Sequence, residues 1–573
     1  MSAYLAKAVS QPTMRNLLSR INPLRPRPNL LSIREYFPVI CEVYLRQTTG
    51  VTLMADKDFG SALIYHEATK HSEVSLGASA HYLDWDNKPA QFKGYMNLAS
   101  IALPRNFPLP KENSIKAITG EPQKTALDQI DVGVLSELLF FSAGLTRKVR
   151  FGKELYYMRA ASATGALYPI EIYVVSGRIP GLEAGVYHFN PLHFSLVKLR
   201  EEDYRSALAD AGSPDSQSAP FTLAFTSLAW RNSWKYEARS YRHWFWDSGV
   251  IAANLLATSN SAGLATTLEL GFVDSEVDRL LGLEAKKEAT VALAIVGAGR
   301  AEKAPKLHQP IPSLALDVNS LSKGEVDYPI IWETNESSGL GSRSETDSWK
   351  TSLGPSKRTV PSTTPAFPLR DSERDPFPHL DEVILLRGST RKFAREPISF
   401  DRLSTIIRAS ATDIPLDFLP DNQALIDFYF IANDVQGLPA GSYFYNVDKN
   451  SVEQLKLHRN RSMSGYLCLG QQLFSDASVV FFLMTNLTSA LKSLGNRGYR
   501  AVQFEAGVRA GKIYLSSYAV GIGASGSTFF DDAVTEFFSP HAKEKSTMIA
   551  VGVGVPGYKA RPGKVLPVPD ESR

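Results

Sequence analysis

The residues of this chain with the clearest capacity for binding chemistry stand in "RGSTRKF" (387–393). Arg387, Ser389 and Arg391 occupy alternate positions, so in an extended segment their side chains point to one side. Two guanidinium forks and a hydroxyl can hold a phosphate by several hydrogen bonds. The heptapeptide alone therefore predicts either a phosphate site or a solvated basic strand.

A second candidate is "RAASATGALYPIEIYVV" (159–175), in which a polar loop leads into a predicted strand. The loop residues are Ser162, Ala163, Thr164 and Gly165. Their hydroxyls can form hydrogen bonds, and the glycine would let the backbone approach a flat ligand closely. Taken by itself, this stretch is explained better as an ordinary loop that enters a strand.

The elements that must position these groups occur twice. "SWKYEARSYRHWFWDSG" (233–249) and "LKSLGNRGYRAVQFEAG" (491–507) share an Arg, a Tyr-Arg pair and a Gly at a spacing of 258 residues. Upstream, "IEIYVV" (170–175) matches "IDFYFI" (426–431) at a spacing of 256 residues. The chain is therefore expected to contain two unequal copies of one domain.

Each copy has a pattern that predicts a helix, two strands, a long helix and a closing strand. This order indicates an α+β fold, with the two copies packed as an intramolecular pseudo-dimer. "FLPD" (418–421) stands where the first copy has its hydroxyl-bearing loop, and the first copy has no RxSxR before its helix. Each copy thus lacks what the other retains.

The paired elements resemble the FMN-dependent nitroreductase fold, over roughly residues 60–300 and 380–560. Within that superfamily, "YHEATKH" (65–71), "LDW" (83–85) and "KYxxRxYR" (235–242) resemble the SagB-type dehydrogenases, which oxidise thiazolines and oxazolines on ribosomal peptides to azoles. The resemblance implies that RxSxR binds the flavin phosphate and that the other half supplies the hydroxyl-bearing loop. One complete FMN site per chain is therefore expected.

The resemblance also implies which residues bind the cofactor. They are Arg387, Ser389, Arg391, Ser162, Ala163, Thr164, Gly165, Gly523, Ser525, Gly526 and Arg561. Gly523, Ser525 and Gly526 belong to "GIGASGSTF" (521–529), which is expected beside the flavin ring. The family's loop usually has Pro-Ser where this chain has Ser162-Ala163, so one flavin contact is expected to be weaker.

Lys235 and Tyr236 are implied to be the catalytic acid–base pair, because FMN accepts the hydride at N5 and the protein must supply the base. A lysine with its ordinary pKa of about 10.4 is a poor base at neutral pH, so burial or nearby cations must lower it. Arg239 and Arg242 are expected to do so. The alternative places Lys235 on the surface and Tyr236 in the core.

Two motifs superficially favour other chemistry. His66, Glu67 and His71 give HExxxH rather than the zinc motif HExxH, and a five-residue separation puts the imidazoles on different helix faces. "GVGVPG" (552–557) matches GxGxxG, but a proline interrupts it, so a closing strand is expected. Neither a metal site nor a dinucleotide site is predicted.

The sequence thus predicts an FMN-dependent oxidoreductase that dehydrogenates an azoline or a similar heterocycle or C–N bond in peptide or natural-product tailoring. The resemblance allows for a peptide or small-molecule substrate and a cyclodehydratase partner. An NAD(P)H-dependent nitro or quinone reductase and a non-catalytic flavin-fold scaffold are the alternatives. The substrate, the electron acceptor and the oligomeric state are left open.

Composition bounds these expectations. The 573 residues are 44% hydrophobic and 21% charged, with a formal charge of +3, which is typical of a globular protein without a nucleic-acid footprint. Two cysteines, Cys41 and Cys468, suit a reducing compartment, and the absence of an 18-residue apolar run predicts no membrane span. A cytoplasmic location is expected.

The predicted organisation has four parts. They are a basic arm and lead-in (1–59), a first domain (60–300), a linker rich in Pro, Ser and Thr (301–378), and a second domain (379–573). The first 34 residues carry six basic residues and no acid, so an organelle transit peptide is the alternative to a solvated arm.

Overall fold

The structure is a computed structural model. It describes residues 59–120, 129–151, 154–354, 365–371 and 376–564. Residues 1–58, which contain most of the predicted basic arm and lead-in, lie outside the described residues, as does Cys41.

The elements of the first half alternate short helices with strands. They are α1 (Gly60–Ala68), α2 (Glu73–Gly77), β1 (Ser100–Ala102), α3 (Ser114–Thr119), α4 (Val132–Ala143), β2 (Leu145–Phe151), β3 (Glu154–Arg159), β4 (Ile170–Ser176), β5 (Gly185–Asn190), β6 (Ser195–Glu201), α5 (Arg205–Asp210), β7 (Phe221–Leu228), α6 (Ala229–Tyr236), α7 (Ser240–Ser261), β8 (Thr266–Glu269), α8 (Asp274–Leu281) and β9 (Glu288–Val296).

The second half repeats this order. Its elements are α9 (Pro329–Ser337), α10 (Arg343–Lys350), β10 (Ala366–Pro368), α11 (Leu380–Leu386), β11 (Ile398–Ser399), α12 (Phe400–Ala411), β12 (Asp427–Ala432), β13 (Val435–Gln436), β14 (Gly441–Asn446), β15 (Ser451–Leu457), α13 (Arg461–Leu467), α14 (Gln472–Asp476), β16 (Val479–Thr485), α15 (Leu487–Leu494), α16 (Arg497–Ala519), β17 (Gly523–Ser527), α17 (Asp531–Phe538) and β18 (Ser546–Gly554).

Two seven-stranded antiparallel sheets share one topology. Their strand orders are β1-β6-β5-β4-β7-β9-β8 and β10-β15-β14-β12-β16-β18-β17. Central strands such as β4 and β16 are buried along their whole length, as their predominantly apolar sequences predict. The predicted α+β fold with two tandem copies is confirmed, and "GVGVPG" falls at the end of β18, as predicted for a closing strand.

The two copies meet along their long helices, α7 and α16. A Cβ atom on Gly249 would lie 2.6 Å from the backbone N of Val508, and one on Gly507 would lie 2.7 Å from the backbone O of Phe245. The paired glycines therefore let the two helix backbones touch. Almost all of both helices is buried, so neither shows a polar face.

The repeated Arg-x-Tyr-Arg motif joins the copies through buried carboxylates. In the first copy, Arg239 and Arg242 each place Nη1 on Asp531 of the second copy, at 2.9 and 2.8 Å. The backbone N of His71 donates to the same carboxylate at 2.8 Å. Asp531 thus ties α7, the end of the "YHEATKH" segment and α17 together.

The second copy makes the same arrangement in reverse. Arg497 and Arg500 each place Nη1 2.6 Å from Asp274 of the first copy, and the backbone N of Leu340 donates to that carboxylate at 3.0 Å. The motif therefore occurs twice because each copy uses it to bind the other copy. The arginines of the first copy bind the first turn of α17, and those of the second copy bind the first turn of α8.

The segment predicted as a linker contains structural elements of the second copy. Arg242 donates to the His66 carbonyl at 2.8 Å, at the end of α1, and Arg500 donates to the Asn335 carbonyl at 2.6 Å, in α9. Helix α9 thus holds in the second copy the place that α1 holds in the first. Strand β10 extends the second sheet as β1 extends the first.

In the part of the chain that the structure describes, no helix combines the length and the hydropathy that a membrane crossing demands.

Candidate active site

The "RGSTR" segment lies against the Gly-rich strand β17. The backbone N of Thr390 donates to the Ala524 carbonyl at 2.8 Å, and Ser389 forms a β-bridge with Ala524. A Cβ atom on Gly523 would collide with the Thr390 hydroxyl, so this position requires glycine. The pairing brings two predicted groups, 387–391 and 523–526, into one place.

Tyr514, on α16, joins these two groups. Its hydroxyl accepts a hydrogen bond from the Gly526 backbone N at 2.6 Å and lies 3.2 Å from the Ser389 hydroxyl. Ser525 is buried, whereas Ser389 is partly exposed and Gly526 is exposed. Of these three residues, Ser389 and Gly526 are the ones that a ligand can reach from solvent.

Arg387 crosses the seam to the first copy. It is buried, and its Nε and Nη2 donate to the carbonyls of Ala160 and Arg159 at 2.8 and 3.0 Å. These carbonyls immediately precede the hydroxyl-bearing loop. Arg387 thus fixes that loop beside the "RGSTR" segment, and only its remaining donors can serve a ligand.

Sequence reasoning missed Arg147 on β2. Its Nη1 donates to the Arg387 carbonyl at 2.7 Å, and its Nη2 donates to the Leu385 carbonyl at 2.8 Å and the Arg561 carbonyl at 3.2 Å. Arg147 therefore binds the start of "RGSTR" and the C-terminal segment to the first copy. The side chain of Arg561 is itself exposed at this edge.

The hydroxyl-bearing loop is held by a buried carboxylate that sequence reasoning also missed. The backbone N and the hydroxyl of Thr164 both donate to Oδ1 of Asp247, each at 2.8 Å. Asp247 lies on α7 and, with Ser162 and Ala163, lines a small cavity beneath the loop. Its signal in the sequence is a lone acid within an apolar helix.

Gly165 and Tyr236 lie in direct contact. Gly165 has a φ of +63°, and a Cβ atom there would lie 2.7 Å from the Tyr236 hydroxyl. The position therefore requires glycine for its conformation and for the space that the tyrosine occupies. Burial, and then the negative charge of Asp247, raise the pKa of Tyr236 well above its ordinary value.

Lys235 lies in the last turn of α6 beside Tyr236, with Nζ 5.3 Å from the centre of the tyrosine ring. Burial, and then the positive charge of Arg391, lower the pKa of Lys235. The prediction that Arg239 and Arg242 lower this pKa is wrong, because both guanidiniums are bound to Asp531.

Arg391 and Lys235 carry positive charge that the described part of the chain leaves without an ion-pair partner. The backbone N of Arg391 donates to the Tyr558 hydroxyl at 3.3 Å, while its side chain is exposed and its charge acts on both Lys235 and Tyr236. The two cations come from different copies. Together they would favour an anionic ligand between them.

The corresponding place in the second copy is filled by the chain itself. Glu505 stands at the position of Asp247, and Arg509, at the position of Ile251, pairs with it at 2.7 Å. Arg509 also donates to the Ser410 carbonyl at 3.1 Å. Arg509 thus stands at the position of Ile251, which lines the cavity of the first copy, so the two seam sites are unequal.

Known proteins share this architecture. A family model described as "Nitroreductase family" matches residues 127–299 and 384–555, one match in each copy and together more than half of the chain. The chain therefore belongs to the nitroreductase family. A solved structure from Anabaena variabilis that bears the name nitroreductase superposes with a TM-score of 0.69 at 25% identity, covering 87% of this chain and all of that chain.

Two curated relatives are named as processing proteins. The trifolitoxin-processing protein TfxB of Rhizobium leguminosarum is 32% identical over 193 residues, which is 32% of this chain and 52% of TfxB, so the match spans about half of that relative. The microcin B17-processing protein McbC of Escherichia coli is 24% identical over 254 residues, 42% of this chain and 88% of McbC. These matches confirm the predicted resemblance to the SagB-type branch.

Proposed function

We propose that this protein is an FMN-dependent dehydrogenase that converts an azoline, or a similar C–N bond in a heterocycle, to its oxidised form on a peptide. Membership of the nitroreductase family supports the oxidoreductase class. The peptide-processing relatives support the substrate class. By the same resemblance to McbC, we propose that the chain works beside a cyclodehydratase that forms the ring.

One observation carries the proposal: Lys235, Tyr236 and Gly165 of the first copy lie at the same place as Arg391 of the second. Tyr236 contacts Gly165, and the charge of Arg391 acts on both Lys235 and Tyr236. Each copy supplies groups that the other has lost.

The residues present fit FMN. A flavin phosphate needs cationic and hydroxyl donors, and Arg391 is exposed beside Ser389 with no carboxylate partner among the described residues. A flavin ring needs backbone that can be approached closely, and Gly526 and Gly165 are both exposed. Ser162 and Thr164 supply hydroxyls in the same loop as Gly165. When bound there, FMN would accept a hydride from the substrate carbon and later pass the electrons to an external acceptor such as oxygen.

Loss of two hydrogens from a ring also requires a proton acceptor, and Lys235 fits this role. Its lowered pKa increases the fraction of neutral amine at a given pH, so the rate should rise as pH increases through that pKa. Tyr236 stays neutral because its pKa is raised, so it would donate a hydrogen bond and orient the ring.

The test is anaerobic reduction of the FMN-loaded protein by an azoline-bearing peptide, with the reduction monitored as a loss of flavin absorbance. Lys235→Ala is expected to slow flavin reduction by about a hundredfold, as for loss of a general base. Arg391→Gln should raise the pKa of Lys235 and move the pH–rate profile to higher pH. Ser493→Ala, at the matching position of the second copy, is the control and should leave the rate unchanged.

Other outcomes favour other functions. Flavin reduction by NADPH with turnover of nitroarenes, and none by the peptide, would identify a nitro or quinone reductase. If the protein bound flavin but showed no activity, and Lys235→Ala changed neither property, the protein would be a scaffold. Protein that takes up no FMN would refute the proposal altogether.

A further inference from the structure

The turn that follows Thr164 is strained. Gly165, Ala166 and Tyr168 have φ values of +63°, +55° and +51°, and alanine and tyrosine rarely adopt this region. Such a turn persists only where its surroundings hold it. It also forms the surface on which the Tyr236 hydroxyl rests.

Two contacts hold the turn at its ends. At the far end, Arg231 donates to the Tyr168 carbonyl at 3.0 Å. At the near end, Asp247 receives both the backbone N–H and the hydroxyl of Thr164 on a single oxygen, Oδ1. The second oxygen of Asp247, Oδ2, is buried and accepts no hydrogen bond of ordinary geometry from the described residues, although the side chain of Asn232 lies close enough to lower the pKa of Asp247.

The second copy shows how this carboxylate differs from a purely structural one. Glu505 accepts a hydrogen bond from the Leu425 backbone N at 2.9 Å, much as Asp247 does from Thr164, but Arg509 neutralises it. Among the residues that the structure describes, no such cation pairs with Asp247. The first copy thus keeps a buried carboxylate uncompensated at the one seam where Lys235 and Tyr236 stand.

We propose that Asp247 is a positioning residue: its ionised carboxylate holds the Thr164–Gly165 turn in the shape that receives Tyr236, and protonation of the carboxylate loosens the turn. The catalytic part of this inference rests on the proposed function. The physical reason is that hydrogen bonds to a charged acceptor are stronger than those to a neutral one, so loss of the Asp247 proton strengthens the hydrogen bonds from Thr164.

The electrostatic surroundings allow this proton to exchange near neutral pH. Burial raises the pKa of Asp247 to about 7, and the hydrogen bonds from Thr164, together with the nearby Asn232 side chain, oppose that rise. The ionisable groups that surround the carboxylate are Arg159 and Tyr168 in the cavity wall, Tyr236 with Arg391 beyond it, and His243 on the same helix. Burial lowers the pKa of His243 far below its ordinary value, so this ring stays neutral throughout the relevant range.

Hydrogen exchange of the segment 160–169 tests the proposal without substrate or turnover. After correction for the intrinsic effect of pH, exchange in the wild-type protein should slow about tenfold as pH rises through the Asp247 pKa. Asp247→Asn should exchange quickly at all pH values. Thr164→Val, which keeps the backbone N–H, should retain the pH dependence, and Asp247→Glu should restore part of it. Wild-type exchange without pH dependence, or the same dependence in Asp247→Asn, would overturn the proposal.

Turnover of the FMN-loaded protein supplies the second readout. Asp247→Asn should lower kcat about tenfold at one pH unit above the Asp247 pKa and little at one unit below, with KM nearly unchanged. A pH-independent loss would point to a structural role and would contradict the inference. If no flavin bound at all, the proposed function would fail, while the exchange experiment would still decide the role of Asp247.

Discussion

Replacing Asp531 by Asn should destabilise the protein strongly and also impair its activity, whereas the same change at Asp274 should affect stability alone. The two carboxylates occupy equivalent places in the two halves, and each binds two arginines of the opposite copy. The pair therefore forms a matched experiment within one chain.

The magnitude follows from burial. Asp531 is 3% exposed, its two arginine partners are equally buried, and removing one partner of a buried ion pair costs about 3–5 kcal/mol. Asp274 is 17% exposed, so part of its lost charge can be replaced by water and the expected cost is lower, about 2–4 kcal/mol.

The effect on activity separates the two sites. Arg239, which Asp531 binds, lies four residues after Lys235, and Asp531 also holds the segment that ends at His71. Freeing these contacts should shift the catalytic pair, so Asp531→Asn should reduce activity per folded molecule. Arg497 and Arg500, which Asp274 binds, lie in the copy that has no Lys-Tyr pair.

The assay is urea unfolding followed by fluorescence, with turnover measured at urea concentrations where each variant is still folded. Although burial opposes the effect, Arg239 and Arg242 hold the pKa of Asp531 well below its usual range. The stabilisation is therefore present above the unfolded-state pKa of about 3.9 and is lost as pH falls below it. The difference between wild type and Asp531→Asn should accordingly shrink in acid. A change in stability below about 0.5 kcal/mol for both variants, or an equal loss of activity in both, would refute this account of the repeated motif.

Two further substitutions test the geometry of the site. Gly165→Ala should reduce activity at least tenfold, because the new methyl group would collide with the Tyr236 hydroxyl and alanine disfavours this backbone conformation. Gly299→Ala is the control, because Gly299 also has a positive φ but no atom lies near its Cβ position. Equal effects of the two substitutions would count against the contact with Tyr236. Ile251→Arg should fill the cavity and pair with Asp247 as Arg509 pairs with Glu505. A thermal scan should show that the variant is folded, and its turnover should no longer change near pH 7. Turnover and pH dependence equal to those of the wild type would contradict the comparison between the two copies.

Much of the architecture could be predicted because the repeat preserves spacing. Strands β9 and β18 begin at residues 288 and 546, which is the 258-residue spacing read from the Arg-x-Tyr-Arg motifs. The complementary loss of motifs predicted that the "RGSTR" segment and the 162–165 loop belong to one place. Arg387 joins them in the structure.

Other features depend on contacts that leave little trace in sequence. Nothing in the sequence indicated that α9 corresponds to α1, because α9 lies in a polar segment. The residues "HEAT" (66–69) of the first copy correspond to "NESS" (335–338) of the second, and only the glutamate is common to both. Asp247 and Arg147 are ordinary residues until the fold places them on a backbone N–H or a carbonyl of a distant element. The partner of Arg239 and Arg242 lies nearly 300 residues away, so their closeness to Lys235 in sequence was misleading.

If the two copies build one cofactor site across their seam, and the chain itself fills the opposite seam, flavin-free protein should bind one FMN per chain. Calorimetric titration of FMN into flavin-free protein measures this number. The affinity should be reduced by Arg391→Ala in the second copy and by Gly165→Ala in the first. Two FMN molecules per chain, or binding that responds to only one of the two substitutions, would contradict this arrangement.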